Sequence, residues 1–404
     1  MKLMFKTAAA TALIAAAGLA HGSFSDDKVK IGVLTDMGGV YSDITGQGSI
    51  EAVQMAVEDF GGQVLGKPIE VVGADTQLKP DIGSTIARQW IESEQVDVIN
   101  GAVASSVTGA VTKLMSDAGK ITLIAAPASH AFTTKGCSPY NAHWSYDVVS
   151  LANGTVKPMV DAGKNRWFFI TADYGFGHAL EAVATGVIEA NGGEVVGSVR
   201  APLATTDFSS YILQAQASGA DVIALANTGS DMVNALKTAA EFGVTEMAEV
   251  AGLLVFTPNA QALDPAIAGG MKLTTGFYWD MDDQTREWSK RYMARMDGKI
   301  PSMAQAGAYS STMHYLKAVE AVGTDESDAV MAKMKEMPVE DFFSRNGYLR
   351  IDGRMVHDML QVRIKNADER SNDNDIFEIE KVIKGEDAFL KLEDGGCEFA
   401  LNQQ

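Results

Sequence analysis

Basic residues, histidine and cysteine are all scarce in this sequence. Lysine and arginine number 33 against 52 aspartates and glutamates, a balance that excludes a basic groove for nucleic acid. The six histidines (His21, His130, His143, His178, His314, His357) are scattered, with no HExxH, no metal-ligand spacing and no GxSxG elbow. GFGHA at 175–179 is only a fragment of a dinucleotide fingerprint, without its third glycine. Neither cysteine has a neighbouring His or Cys, so a zinc site lacks ligands. No stretch beyond the first 20 residues is apolar enough to cross a bilayer. Neither enzymatic activity nor a cofactor nor a metal is expected.

What is present begins with MKLMFKTAAATALIAAAGLAHG. Two lysines, an Ala-rich apolar middle and a small-residue exit are the layout of a secretory signal peptide over 1–20. The run from Thr7 to Ala20 is short for a membrane anchor. Without Lys2 and Lys6, 31 basic residues face 52 acidic ones, a net charge of −21 that keeps the exported chain soluble. Cys137 (TTKGCSPYN) and Cys397 (EDGGCEFAL) both sit in polar, Gly-containing loops. In an exported protein they most simply pair, tying the tail to a mid-chain loop; two free thiols are the alternative.

The length of 404 residues suggests two domains. From Lys28 the chain alternates: KIGVLTD, a helix over 49–60, PIEVVGA, a helix over 81–93, VDVIN, a helix over 108–118, then ITLIA. Ile50, Val53, Val57 and Phe60 fall on one face of a 3.6-residue period. A second series runs through RWFFITA, a helix over 177–191, EVVGSV, a helix over 208–218, ADVIALAN, a helix over 231–242 and VAGLLVF. Strands apolar throughout and separated by helices predict an α/β fold of two doubly wound parallel-sheet lobes. Later segments read as a strand LTTGFYWD, helices near 283–296, 302–322 and 325–336, and a hairpin turning at Asp352-Gly353.

Ligands of open α/β sheets bind beyond the carboxyl ends of strands, beside helix N-termini. Three stretches at such ends are built of small or turn residues: AVASSVTG, AAPASHA and TADYGFGHA. Small side chains let a ligand approach the backbone, and first-turn N–H groups point at it. That suits a carboxylate or another compact acceptor. Tight strand-to-helix packing is the competing explanation for any one loop.

Taken in order, KIGVLTDMGGVYSDITGQGSIEAVQMAVEDF, GKPIEVVGADTQLKPDIGSTIARQWI, AVASS, APAS and ADYGFGHALEAV resemble the periplasmic solute-binding proteins of ABC transporters. The likeness is to the branched-chain-amino-acid type (type I) and runs from about Lys28 into the 360s. It implies a clamshell joined by crossover hinge strands, with lobe 1 over 28–146 plus about 277–339 and lobe 2 over 147–276 plus about 340–404. It also implies a monomer in the periplasm that delivers a small organic acid or amino-acid-like solute to an ABC permease in the inner membrane. Ser105 and Ser106 resemble the family's carboxylate-binding turn, and Ala128 and Ser129 its partner turn. Tyr174 stands at the aromatic position of the second lobe, and Tyr41 where a ring closes over the ligand. A ligand-sensing module of the same fold is the rival reading.

One departure stands out. Amino-acid members place an acid after the last strand of lobe 2 to hold the ammonium. Leu253 and Leu254 occupy that stretch here, and the turn closing ADVIALAN offers Asn227, Thr228 and Asp231. An unpaired buried ammonium is costly. A carboxylate with an apolar or aromatic body is therefore expected, walled by Phe176, Leu253, Tyr278 and Trp279. Asp231 could serve as the missing acid, which keeps an amino-acid ligand open; a branched-chain amino acid or an amide- or urea-type solute is the alternative.

Overall fold

The computed structural model describes residues 24–402; the segment read as a signal peptide lies outside them, as does His21. The first series forms β1 (Val29–Thr35), α1 (Gly46–Phe60), β2 (Lys67–Asp75), α2 (Pro80–Glu92), β3 (Val98–Gly101), α3 (Ser105–Asp117), β4 (Ile121–Ile124) and β5 (Asn141–His143). Its sheet runs β2-β1-β3-β4-β5, all parallel, with a two-residue strand, Gln63–Val64, antiparallel on the β2 edge. Helices cover both faces, so β1, β3 and β4 are apolar along nearly their whole length. Gly32 is needed where β1 meets Trp90, since a Cβ there would fall 2.4 Å from the indole ring.

The second series forms β6 (Arg166–Ala172), α4 (Gly175–Ala190), β7 (Glu194–Ala201), α5 (Ser209–Ala217), β8 (Val222–Ala226), α6 (Gly229–Glu241) and β9 (Glu249–Gly252). Its parallel sheet runs β9-β8-β6-β7. The strand expected over 250–256 stops at Gly252, and Leu253–Phe256 becomes a strand-end loop. The strand expected to include FYWD is only β10 (Lys272–Thr275).

Three helices follow, α7 (Asp283–Arg295), α8 (Met303–Val322) and α9 (Ser327–Glu336). Helix α8 starts at a capping box in which Ser302 and Gln305 bond each other's backbone N–H. It packs on the first series: Ser302 Oγ donates to the Ile44 carbonyl at 2.7 Å, Gln305 to Thr45, and Asn100 of β3 to Ala308 at 3.1 Å. Arg291 and Arg295 pair with Asp59, Glu51 and Glu58 around α1.

The Asp352-Gly353 turn joins Gly347–Leu349 to Met355–Val356 as expected, with Gly353 at φ 86°. Strands β11 (Met359–Ile364) and β12 (Phe377–Ile383) then make an antiparallel sheet with β10, burying Leu360, Val362 and Phe377 in the same hydrophobic core as Ile223 and Leu225 of β8. Cys137 and Cys397 are joined in a disulfide that fastens the C-terminal tail to the loop between β4 and β5. No described helix is long and apolar enough to cross a membrane.

Candidate functional site

Each parallel sheet reverses strand order once, between β1 and β3 and between β6 and β8. At such a switch point neighbouring strand-end loops diverge and leave a crevice. The two crevices face each other, and a narrow cavity lies between them. Loops after β1, β3 and β4 line one side; loops after β6, β8 and β9 line the other.

The first side combines the side chains of Tyr41, Ile44, Thr45 and Val103 with loops after β3 and β4 that are nearly bare backbone. Beyond β3 the chain turns through Ala102 and Ala104, at φ 59° and 71°, before entering α3. A left-handed alanine costs about 1 kcal/mol or more, and such outliers gather at ligand sites. Thr108 holds the turn by donating to the Ala102 and Ala104 carbonyls. The result sets the N-terminus of α3 at the cavity, where the helix end favours negative charge. Ser105 sits there, buried, with no partner for its hydroxyl. Ala126, Pro127 and Ala128 continue this wall, braced by the Tyr146 hydroxyl on the Ala126 carbonyl.

The opposing side is formed by side chains. Tyr174 and Phe176 lead into α4, Thr228 into α6, and Leu254 and Phe256 follow β9. Thr228 is buried and its hydroxyl has no partner. Tyr41, fixed by its N–H on Asp36 at 2.9 Å, reaches across so that its hydroxyl lies 2.5 Å from that of Tyr174. Burial raises the pKa of Tyr41, Tyr146 and Tyr174 well above the ordinary phenol range, so all three are neutral hydrogen-bonding groups.

No residue lining the cavity carries a charged side chain. Asp231 lies in the first turn of α6, with Oδ2 accepting the Ala204 N–H at 3.0 Å and Oδ1 unpartnered. Burial pushes its pKa up to about 6, and its charge in turn raises those of Tyr41 and Tyr174.

Of the residues expected from sequence, Tyr41, Ser105, Ala128, Tyr174, Phe176 and Thr228 line the cavity. The structure does not bring six others to its wall. Ser106 faces solvent on α3, and Ser129 turns its hydroxyl to the Ala131 N–H. Asn227 is buried beside Thr228 with its amide unpartnered, and Leu253 is wholly inside the core. Tyr278 instead accepts the N–H groups of Ile376 and Phe377, and Trp279 donates to the Asn374 carbonyl at 2.9 Å. Both therefore knit residues 374–377 to the β10 end. Tyr146, on the segment crossing between the sheets, and Phe256 were not anticipated. Tyr146 stands in a non-periodic stretch that carries no signal; Phe256 was hidden by reading its loop as strand.

A family model for periplasmic binding proteins matches residues 28–370. A periplasmic binding protein from Burkholderia mallei is 44% identical over 92% of this chain and 99% of its own, with a TM-score of 0.90. A branched-chain amino acid ABC transporter periplasmic ligand-binding protein from Burkholderia xenovorans LB400 is 38% identical over 92% of this chain and 100% of its own, TM-score 0.82. A solute-binding protein of an R. palustris ABC transporter, solved with 4-hydroxybenzoate, shares the fold at 23% identity, TM-score 0.78, over 89% of this chain and 97% of its own.

Proposed function

Since the chain belongs to the periplasmic binding protein family, whose members are solute receptors and not enzymes, we propose that it captures a small aromatic or otherwise apolar-bodied carboxylate for an ABC importer. The observation that carries this reading is an uncharged cavity in which the α3 N-terminus and Ser105 face rings and Leu254. A carboxylate satisfies the amides without a counter-ion in the wall. An ammonium has no charged partner lining the cavity, and leaving it buried and unpaired is costly. Thr228 supplies one unpartnered hydroxyl on the far side, which suits a ring hydroxyl or similar group on the ligand's body. The R. palustris complex with 4-hydroxybenzoate supports the same chemistry.

In this reading lobe 2 keeps residues 147–276 with β11 and β12, while the hairpin about Gly353, whose carbonyl accepts the His143 N–H, and the disulfide-tied tail lie with lobe 1. Solute contact with both sides stabilises a closed form that the inner-membrane permease recognises. The receptor is a periplasmic monomer released from its signal peptide. A branched-chain amino acid is the second reading, favoured by the free Oδ1 of Asp231 and by the relative from Burkholderia xenovorans LB400.

Mass spectrometry of small molecules released on denaturing the purified protein, followed by calorimetric titration with benzoate, 4-hydroxybenzoate and leucine, tests both. Benzoates binding and leucine failing is the expected result. Leucine binding alone would replace the first reading with the second.

A further inference from the structure

Gly229 opens α6 at φ 66°, and its position in space matters more than its conformation. A Cβ built on it would lie 2.4 Å from the Val40 carbonyl oxygen and 2.9 Å from the Tyr41 ring. Both belong to the loop after β1, on the other side of the cavity. The next amide, Ser230 N–H, donates to that same Val40 carbonyl at 3.4 Å. Close by, the Tyr41 and Tyr174 hydroxyls bond across the same gap. Every partner in this group is protein, so the contact is made by the two halves themselves and adds to whatever a solute contributes.

We propose that Gly229 is the positioning residue of lobe closure: the missing side chain lets α6 seat directly on the Val40 carbonyl, forming a latch that closes the receptor. The proposal rests on the clamshell reading above but not on the identity of the solute. A side chain at 229 holds the halves apart while leaving each half intact, because every atom it would strike belongs to the opposite half. Closure then becomes rarer, and apparent affinity falls in proportion to the lost closed population.

A left-handed φ also disfavours alanine at 229, so conformational strain needs its own control. Gly243, just beyond α6, has φ 70° and nothing within 4 Å of a built Cβ. Gly243→Ala therefore carries the same backbone strain with no contact between halves. Gly229→Asn supplies the converse, since asparagine tolerates the left-handed region yet still projects a Cβ.

The test is small-angle X-ray scattering of the exported protein as wild type, Gly229→Ala, Gly229→Asn and Gly243→Ala, each alone and with 4-hydroxybenzoate, alongside calorimetric titration. Both Gly229 variants are expected to shift to a larger radius of gyration in each condition and to bind about tenfold more weakly. Gly243→Ala should match the wild type in both respects, apart from some loss of melting temperature. Ligand-free curves for Gly229→Asn that superimpose on the wild type, or an equal shift in Gly243→Ala, would overturn the proposal. Failure of 4-hydroxybenzoate to bind any of the four proteins would count against the solute reading, while the ligand-free curves still decide the role of Gly229.

Discussion

The two sides of the cavity use the same piece of architecture in opposite ways. Both are switch points of parallel sheets, with strand ends passing into helix N-termini. On the first side, beside Tyr41 and Ile44, Ala104, Ser105, Ala126 and Ala128 strip the loops after β3 and β4 to backbone, and Ala102 and Ala104 hold left-handed conformations there. On the second, Tyr174, Phe176, Leu254 and Phe256 cover the backbone with apolar bulk. An open α/β sheet thus fixes where a ligand sits, while side-chain size decides whether it meets dipoles or hydrocarbon. In the proposed reading, one half meets the polar end of the ligand and the other its body.

The contrast breaks most completely if the bare side is filled. Ser105→Trp should weaken 4-hydroxybenzoate binding about 100-fold or more in calorimetric titration, since roughly 3 kcal/mol of amide contact is blocked. Its melting temperature should stay close to the parent's, because the indole projects into the cavity. Undiminished affinity would place the anion site elsewhere. Charging the apolar side comes next. Leu254→Glu puts an unpaired acid facing a carboxylate, with about 30-fold weaker benzoate binding and a gain for leucine; equal losses for both ligands would deny that this wall selects against ammonium.

Removing the lone hydroxyl of the second side is a smaller change. Thr228→Val should cost 4-hydroxybenzoate about fivefold, the value of one net hydrogen bond, and leave benzoate unaffected. Least of all, pH should act through the second side alone. Asp231, with its pKa near 6, charges as pH rises from 5.5 to 7.5 and repels a bound carboxylate, lowering affinity by about threefold. Asp231→Asn should flatten that profile. The same raised pKa means the folded protein holds this proton more tightly than the unfolded chain. Its contribution therefore favours folding below about pH 4 and is lost as pH climbs through about 6.

Sequence periodicity located both sheets because strands buried on two faces are apolar throughout, as in VDVIN and ADVIALAN. It placed the starts of α3, α4 and α6 two or three residues late. Each of these helices opens on Ser or Gly residues, whose weak propensity masks a first turn imposed by the preceding strand end. Those lost turns are the ones that border the cavity. Small residues still flagged the first side, since emptiness next to a core strand is itself a pattern. The second side was legible only in part: Leu254 and Phe256 are as apolar as core residues, and only the early end of β9 turns them to the cavity. Tyr278 and Trp279 were expected at the wall because aromatic residues near a crossing segment suit either role. Their polar tips decided otherwise, each finding backbone partners in residues 374–377.

Arg354 is fully buried and gives its guanidinium to the carbonyls of Trp144 and Tyr146, while His357 occupies that of Ser145 at 2.9 Å. Burial lowers the pKa of Arg354 to about 10 and of His357 to about 4, leaving an arginine still cationic and a histidine neutral at pH 7. Three successive peptide groups on one connector are thereby pinned, and none of them can swivel without stranding a buried cation or imidazole. In the proposed clamshell this connector is a stiff axle, so rocking of one half against the other is expected to pivot at its two ends.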